Sequence, residues 1–91
     1  MATEARPRVA AGERLRVRGL VQGVGFRPTV WRLAREEGLT GTVRNDGAGG
    51  VVELWGEAPG RERFRRRLRD EAPPLARIEA VDSEPLEESA P

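Results

Sequence analysis

The segment Gly19-Leu20-Val21-Gln22-Gly23-Val24-Gly25-Phe26-Arg27 holds two kinds of group that together capture anions. Its glycines let backbone N–H donors close on a ligand, and its one arginine carries a guanidinium that grips two oxygens at once. The segment follows a strand-like run and opens a helix-like one, so its amides fall at a helix N-terminus, where the peptide dipoles favour negative charge. The chemistry this suits is recognition of a phosphoryl group, with Arg27 and the N–H groups of Gln22, Gly23, Val24, Gly25 and Phe26 as the clamp. A second polar group, Asn45, stands 18 positions beyond Arg27. An amide does not titrate usefully, so Asn45 orients water or a substrate oxygen through hydrogen bonds and does not serve as a base.

Each of these residues also has a plainer reading. Gly23 and Gly25 could simply allow a tight strand-to-helix connection. Asn45 precedes Asp46-Gly47, which is turn chemistry in its own right. Arg27 could be a surface arginine, although a cation at a helix start opposes the dipole unless an anion is bound. Six arginines between Arg61 and Arg69 (Arg61, Arg63, Arg65, Arg66, Arg67, Arg69) form a basic patch that could meet phosphate backbones. They also fit the wet face of a helix whose buried side is Phe64 and Leu68.

Composition narrows the chemistry. With no cysteine and no histidine, thiol nucleophiles, imidazole bases and disulfides are excluded, and the usual transition-metal ligands are missing. All 16 basic residues are arginine and the net charge is +1. Ninety-one residues allow one domain with one modest core. No apolar run approaches the length of a membrane span, and the first residues lack the apolar stretch of a secretory signal, so the cytoplasm is the expected compartment.

The elements that must position the clamp follow from periodicity. Leu15 and Val17 alternate with Arg14, Arg16 and Arg18, the period of a half-buried strand. Pro28 suits a first helical position, Val30, Leu33 and Ala34 form an apolar stripe, and Gly38 stops the helix, which predicts a helix over 28–37. Thr40 to Asn45 and Val51 to Trp55 read as strands around the turn Asp46–Gly50, a hairpin over 40–56. Pro59-Gly60 opens a second helix reaching Asp70, and Ala76 to Val81 is a weaker last strand. Residues 1–12 and 85–91 read as loose tails around a domain over 13–84. The order βαββαβ is that of a ferredoxin-like α+β sandwich, an antiparallel sheet of four to five strands with two helices on one face. In that topology the third strand lies between the first and second, so the glycine loop and Asn45 become neighbours at one edge of the sheet.

The run Val17 to Arg27, followed by Gly41-Thr42-Val43-Arg44-Asn45, resembles the acylphosphatase family over about residues 13–84. The resemblance implies metal-free, cofactor-free hydrolysis of a carboxyl-phosphate anhydride, with Arg27 binding substrate and Asn45 catalytic. Phe26-Arg27-Pro28, Asn45-Asp46-Gly47 and Pro73-Pro74-Leu75-Ala76-Arg77-Ile78 look more closely like the N-terminal acylphosphatase domain of the carbamoyltransferases that mature nickel–iron hydrogenases. Those proteins continue into zinc-binding and nucleotide-handling domains, of which this sequence holds none. The partners implied are a small acyl phosphate, carbamoyl phosphate among the candidates, and inorganic phosphate or sulfate as product or mimic. Neither membrane nor nucleic acid is expected, and the chain reads as a monomer or one domain of a longer protein. A phosphate-binding module without turnover and an RNA-binding sheet are the rival readings. Base-stacking sheets present aromatics on their central strands, and here the first strand has none and the third only Trp55.

Overall fold

Alternation and capping produce six elements in the computed structural model, which describes residues 11–86. They are β1 (Gly12–Leu20), α1 (Phe26–Glu36), β2 (Thr40–Asp46), β3 (Gly49–Trp55), α2 (Ala58–Asp70) and β4 (Arg77–Leu86). The sheet has four strands in the order β2-β3-β1-β4, every neighbour antiparallel. The chain therefore forms two split crossovers: α1 joins β1 to β2 around β3, and α2 joins β3 to β4 around β1.

One face of the sheet meets both helices. Leu15 and Val17 of β1, Val52 and Leu54 of β3, Val30 and Leu33 of α1, and Phe64 and Leu68 of α2 form the core, each at most 3% exposed. Each such side chain contributes about 1.5–3 kcal/mol relative to leaving it in water. Gly38 (φ 73°) ends α1 as the apolar stripe predicts. The Leu39 amide donates to the Ala34 carbonyl (2.8 Å), and the Leu39 side chain joins the core.

Several expected boundaries move. α1 begins at Phe26, so Pro28 occupies the third helical position, which still needs no hydrogen-bond donor. α2 begins one residue before Pro59. β4 continues five residues past Val81, because register with β1 places polar side chains opposite partners: Asp82 faces Arg16, Ser83 faces Leu15 and Glu84 faces Arg14. Gly12, Pro85 and Leu86, read as tail, belong to paired strands, the Ala11 carbonyl accepts a hydrogen bond from the Gly56 amide (3.0 Å), and residues 1–10 and 87–91 of the expected tails lie outside the described residues. Glu79 is an extra residue in β4 between Ala80, opposite Arg18, and Ile78, opposite Gly19. The extra residue lets Ile78 share the inward face with Val81, three positions away, and both pack against the core.

Charge is placed as deliberately as the apolar residues. Glu13 is 2% exposed and accepts hydrogen bonds from Arg61 (2.8 Å), Arg65 and Ser83 (2.7 Å), which joins β1, α2 and β4. Burial alone pushes its carboxyl up, but the Ser83, Arg65 and Arg61 hydrogen bonds more than offset that and hold it below the ordinary 4.5. Glu36 and Glu37, unfavourably placed at the negative end of α1, are held by Arg63 and Arg67 of α2 at 2.6–3.0 Å. The Arg63 hydrogen bond lowers the Glu37 pKa, as that of Arg67 lowers Glu71.

These carboxyls are depressed in the fold, so the stability they contribute is complete above pH 4.5 and fades as pH falls through their folded values. Thermal unfolding followed by circular dichroism is expected to show a melting temperature that drops progressively below pH 4.5. Glu13→Ala should cost about 3 kcal/mol at pH 7, the low end for breaking a buried pair because Arg65 reaches solvent. A melting temperature flat from pH 7 to 3 would contradict this.

Candidate anion-binding site

Leu20 ends β1 and Val21 tucks its side chain into the core, so residues 22–25 must reverse the chain within one short loop. Gly23 (φ 75°) and Gly25 (φ 87°) supply the left-handed backbone this requires, a conformation that costs other residues about 1–2 kcal/mol. Gly25 is the N-cap of α1 and brings no side chain to satisfy the first amides, nor does the first turn hold an acid. Its carbonyl is held twice, by the Thr29 amide (3.2 Å) and by Thr29 Oγ1 (3.0 Å). None of the amides of residues 22–27 donates to a backbone carbonyl outside the regular elements among the described residues. Uncapped donors thus collect at the positive end of α1.

Arg27 is the second residue of that helix, exposed and without an ion pair among the described residues. Gln22, Gly23 and Gly25 are also exposed, Val24 is half-buried, and the Phe26 ring is buried. Of the six loop residues read as a clamp, five therefore open to solvent through backbone or side chain, and Phe26 anchors them from below.

Asn45 reaches the same place from β2. It shares the inward face with Val43 and pairs with Gly50 of β3, which pairs on its other side with Val17 of β1. A Cβ built on Gly50 would lie 2.8 Å from Cε2 of Phe26, so the ring that begins α1 occupies the space over that glycine. Asn45 is consequently one strand spacing, about 4.8 Å, from the glycine that the Phe26 ring covers. The hairpin turn is closed by the Ala48 amide on Asp46 Oδ1 (2.9 Å) and tied to β1 by the Gly19 amide on the Ala48 carbonyl (3.3 Å). Asn45 Oδ1 is buried with no hydrogen-bond partner among the described residues, a state costing about 1–3 kcal/mol.

The arginine patch of α2 behaves differently. Arg61, Arg63, Arg65 and Arg67 are each paired with glutamates of β1 or of the C-terminal ends and C-caps of α1 and α2, and Phe64 and Leu68 form the buried side of the same helix. Most of its charge is spent on internal ion pairs. Trp31 is exposed and Trp55 is buried on the opposite sheet face. Sequence reading missed Gly50, counted as part of a turn, and Thr29. Alternation along β3 could have assigned Gly50 an inward position, and the spacing of four from Gly25 could have flagged Thr29 as a side chain that bonds back to it.

The family described as acylphosphatase matches residues 13–91. Carbamoyltransferase HypF2 of Cupriavidus necator is 61% identical over 71 residues, covering 78% of this chain and 9% of that protein. The acylphosphatase of Lactobacillus johnsonii is 43% identical over 70 residues, covering 75% of this chain and 76% of its own length. Full-length HypF in its phosphate- and nucleotide-bound form superposes with a TM-score of 0.82 at 34% identity, over 91% of this chain and 11% of the other. The chain thus spans about a tenth of the carbamoyltransferases it matches.

Inorganic phosphate added to labelled protein is expected to shift the amides of residues 22–27 while those of residues 61–69 stay still. Gly50→Ala must displace the Phe26 ring, and overpacking of this kind costs about 1–3 kcal/mol. Phosphate affinity should fall with it, by about fivefold or more. Unchanged affinity would mean that the ring does not set the position of the loop.

Proposed function

Because the chain belongs to the acylphosphatase family, we propose that it hydrolyses an acyl phosphate by in-line attack of water on phosphorus. The observation that carries this reading is the buried Oδ1 of Asn45, unpartnered among the described residues, near an uncapped helix start whose Arg27 has no ion pair among them. Water forms the new P–O bond, the bond from phosphorus to the acyl oxygen breaks, and that oxygen leaves with its electron pair as a carboxylate. The proton from water ends on a phosphoryl oxygen. A carboxylate is a good leaving group, so no strong nucleophile or general acid is needed, and positioning and electrostatics suffice.

The roles follow from the groups. The amides of Gln22, Gly23, Val24, Gly25 and Phe26, with the Arg27 guanidinium, hold the phosphoryl oxygens, and donors fixed in advance toward developing charge contribute about 3–4 kcal/mol each. Asn45 Oδ1 accepts a hydrogen bond from the attacking water and aims it. Thr29 fixes the loop through the Gly25 carbonyl. Carbamoyl phosphate is one candidate substrate, through the likeness to carbamoyltransferases. The same likeness supports a second reading, in which the domain binds phosphate or carbamoyl phosphate for a longer protein without turning it over. An RNA-binding role has less support, since the α2 arginines are largely ion-paired and Trp55 is buried.

Arg27→Ala should weaken both phosphate binding and turnover. Asn45→Ala should leave phosphate binding nearly intact while kcat on benzoyl phosphate falls by about 10² or more. Activity should persist in chelator and be weak on phosphate monoesters, whose alkoxide leaving group needs an acid this loop does not hold. Phosphate binding with no release from any acyl phosphate would favour the binding-module reading.

A further inference from the structure

A groove of about 440 Å³ opens beside the glycine loop, lined by Leu20, Val24, Pro74, Leu75, Ala76 and Arg77. It is continuous with the loop, since Val24 belongs to both and Pro73 lies 3.7 Å from a Cβ built on Gly25. The Ala76 amide donates to the Pro73 carbonyl (2.9 Å), which folds residues 73–76 into a turn, and register places Arg77 opposite Leu20. Leu75 is 72% exposed and Leu20 is 52% exposed, two of the three large apolar side chains left open among the described residues. Neither serves the core, yet both border the loop.

Position gives this groove its meaning. Across the sheet the order is Asn45 on β2, Gly50 on β3, the loop after β1, then Arg77 on β4. Asn45 thus stands on one side of the loop and the groove on the other. Displacement at phosphorus holds the entering and departing oxygens roughly in line. With water aimed from the Asn45 side, the departing acyl oxygen, and the acyl group it carries, point toward β4.

We propose that the groove formed by Leu20, Val24 and Leu75 receives the acyl group of the substrate, and that the substrate class is acyl phosphates with an apolar acyl group. This rests on the in-line reading above. An aryl or branched alkyl group covers Leu20 and Leu75 and loses water-exposed apolar surface on both sides of the contact. Acetyl reaches little of the groove, and the small polar carbamoyl group gains nothing from it.

The test is a ratio. The value of kcat/KM is measured for benzoyl, acetyl and carbamoyl phosphate on the wild type, on Leu20→Ser/Leu75→Ser, and on Trp31→Ser, which alters an exposed aromatic of α1 facing a different groove. The benzoyl-to-acetyl ratio should fall by about tenfold or more in the double variant, the scale of a hydrophobic-pocket contact, and stay unchanged in Trp31→Ser. A ratio unmoved by the double variant, or moved equally by Trp31→Ser, overturns the proposal. Binding of phenacylphosphonate, a stable benzoyl phosphate mimic, separates this inference from the reading beneath it. If no acyl phosphate is hydrolysed but the mimic shifts the amides of Leu20 and Leu75, the groove assignment stands and hydrolysis fails. If the mimic shifts only residues 22–27, the groove assignment is wrong.

Discussion

The contact on which the rest of the molecule turns is the Phe26 ring lying where Gly50 has no side chain. The first residue of α1 is pinned against the middle of the sheet, so the helix start cannot slide along it. Because Gly50 pairs with Asn45 on one side and Val17 on the other, the same contact fixes the distance between the loop and the β2 carboxamide. A ring only 1% exposed holds the backbone on either side of it far more stiffly than a hydrogen bond between exposed groups, because moving it opens a cavity. The polar groups above it can then remain unpaired without the loop collapsing onto them.

Electrostatics divides the molecule into a satisfied part and an unsatisfied one. At the far end of β1, Glu13 sits against two arginines and a serine, and the C-terminal end of α1 is closed by Arg63 and Arg67. At the loop end, α1 has no cap and no acid, Arg27 has no carboxylate, and Asn45 Oδ1 has no donor among the described residues. A chain with 16 arginines and 15 acids could have paired Arg27 as readily as Arg67. Other arginines are also without an ion pair among the described residues, so it is the missing cap together with the buried Asn45 Oδ1 that supports the proposed anion site.

Much of this was legible in the sequence because it is local. Alternation in β1, the stripe in α1 with its Gly38 stop and the glycine loop are all written within about ten residues, and the element order they generate carries Asn45 to the loop. What escaped reading was decided by distant partners. Glu13 looks like one more charge in a polar strand until Arg61 and Arg65 arrive from α2, 48 and 52 positions on. The second half of β4 is too polar to read as a strand, and becomes one only because β1 offers a full-length edge and Arg14 offers Glu84 a partner at 2.7 Å. Gly50 carries no side chain to attract notice, and its importance lies in what Phe26 does with the space.

The pairing of Gly12 with Leu86 has a consequence for how such a unit can be carried. The two ends of the described segment lie side by side at one pole of the sheet, and the loop lies at the other, beyond Leu20. Eight residue steps of strand at roughly 3.3 Å each separate the two poles, about 26 Å. A segment with adjacent ends far from its glycine loop can be joined to another polypeptide, or lifted out of one, with little disturbance to the opposite pole. Tethering, grafting and immobilisation through the Gly12–Leu86 pole should therefore leave the loop facing outward, like a tool held by its handle.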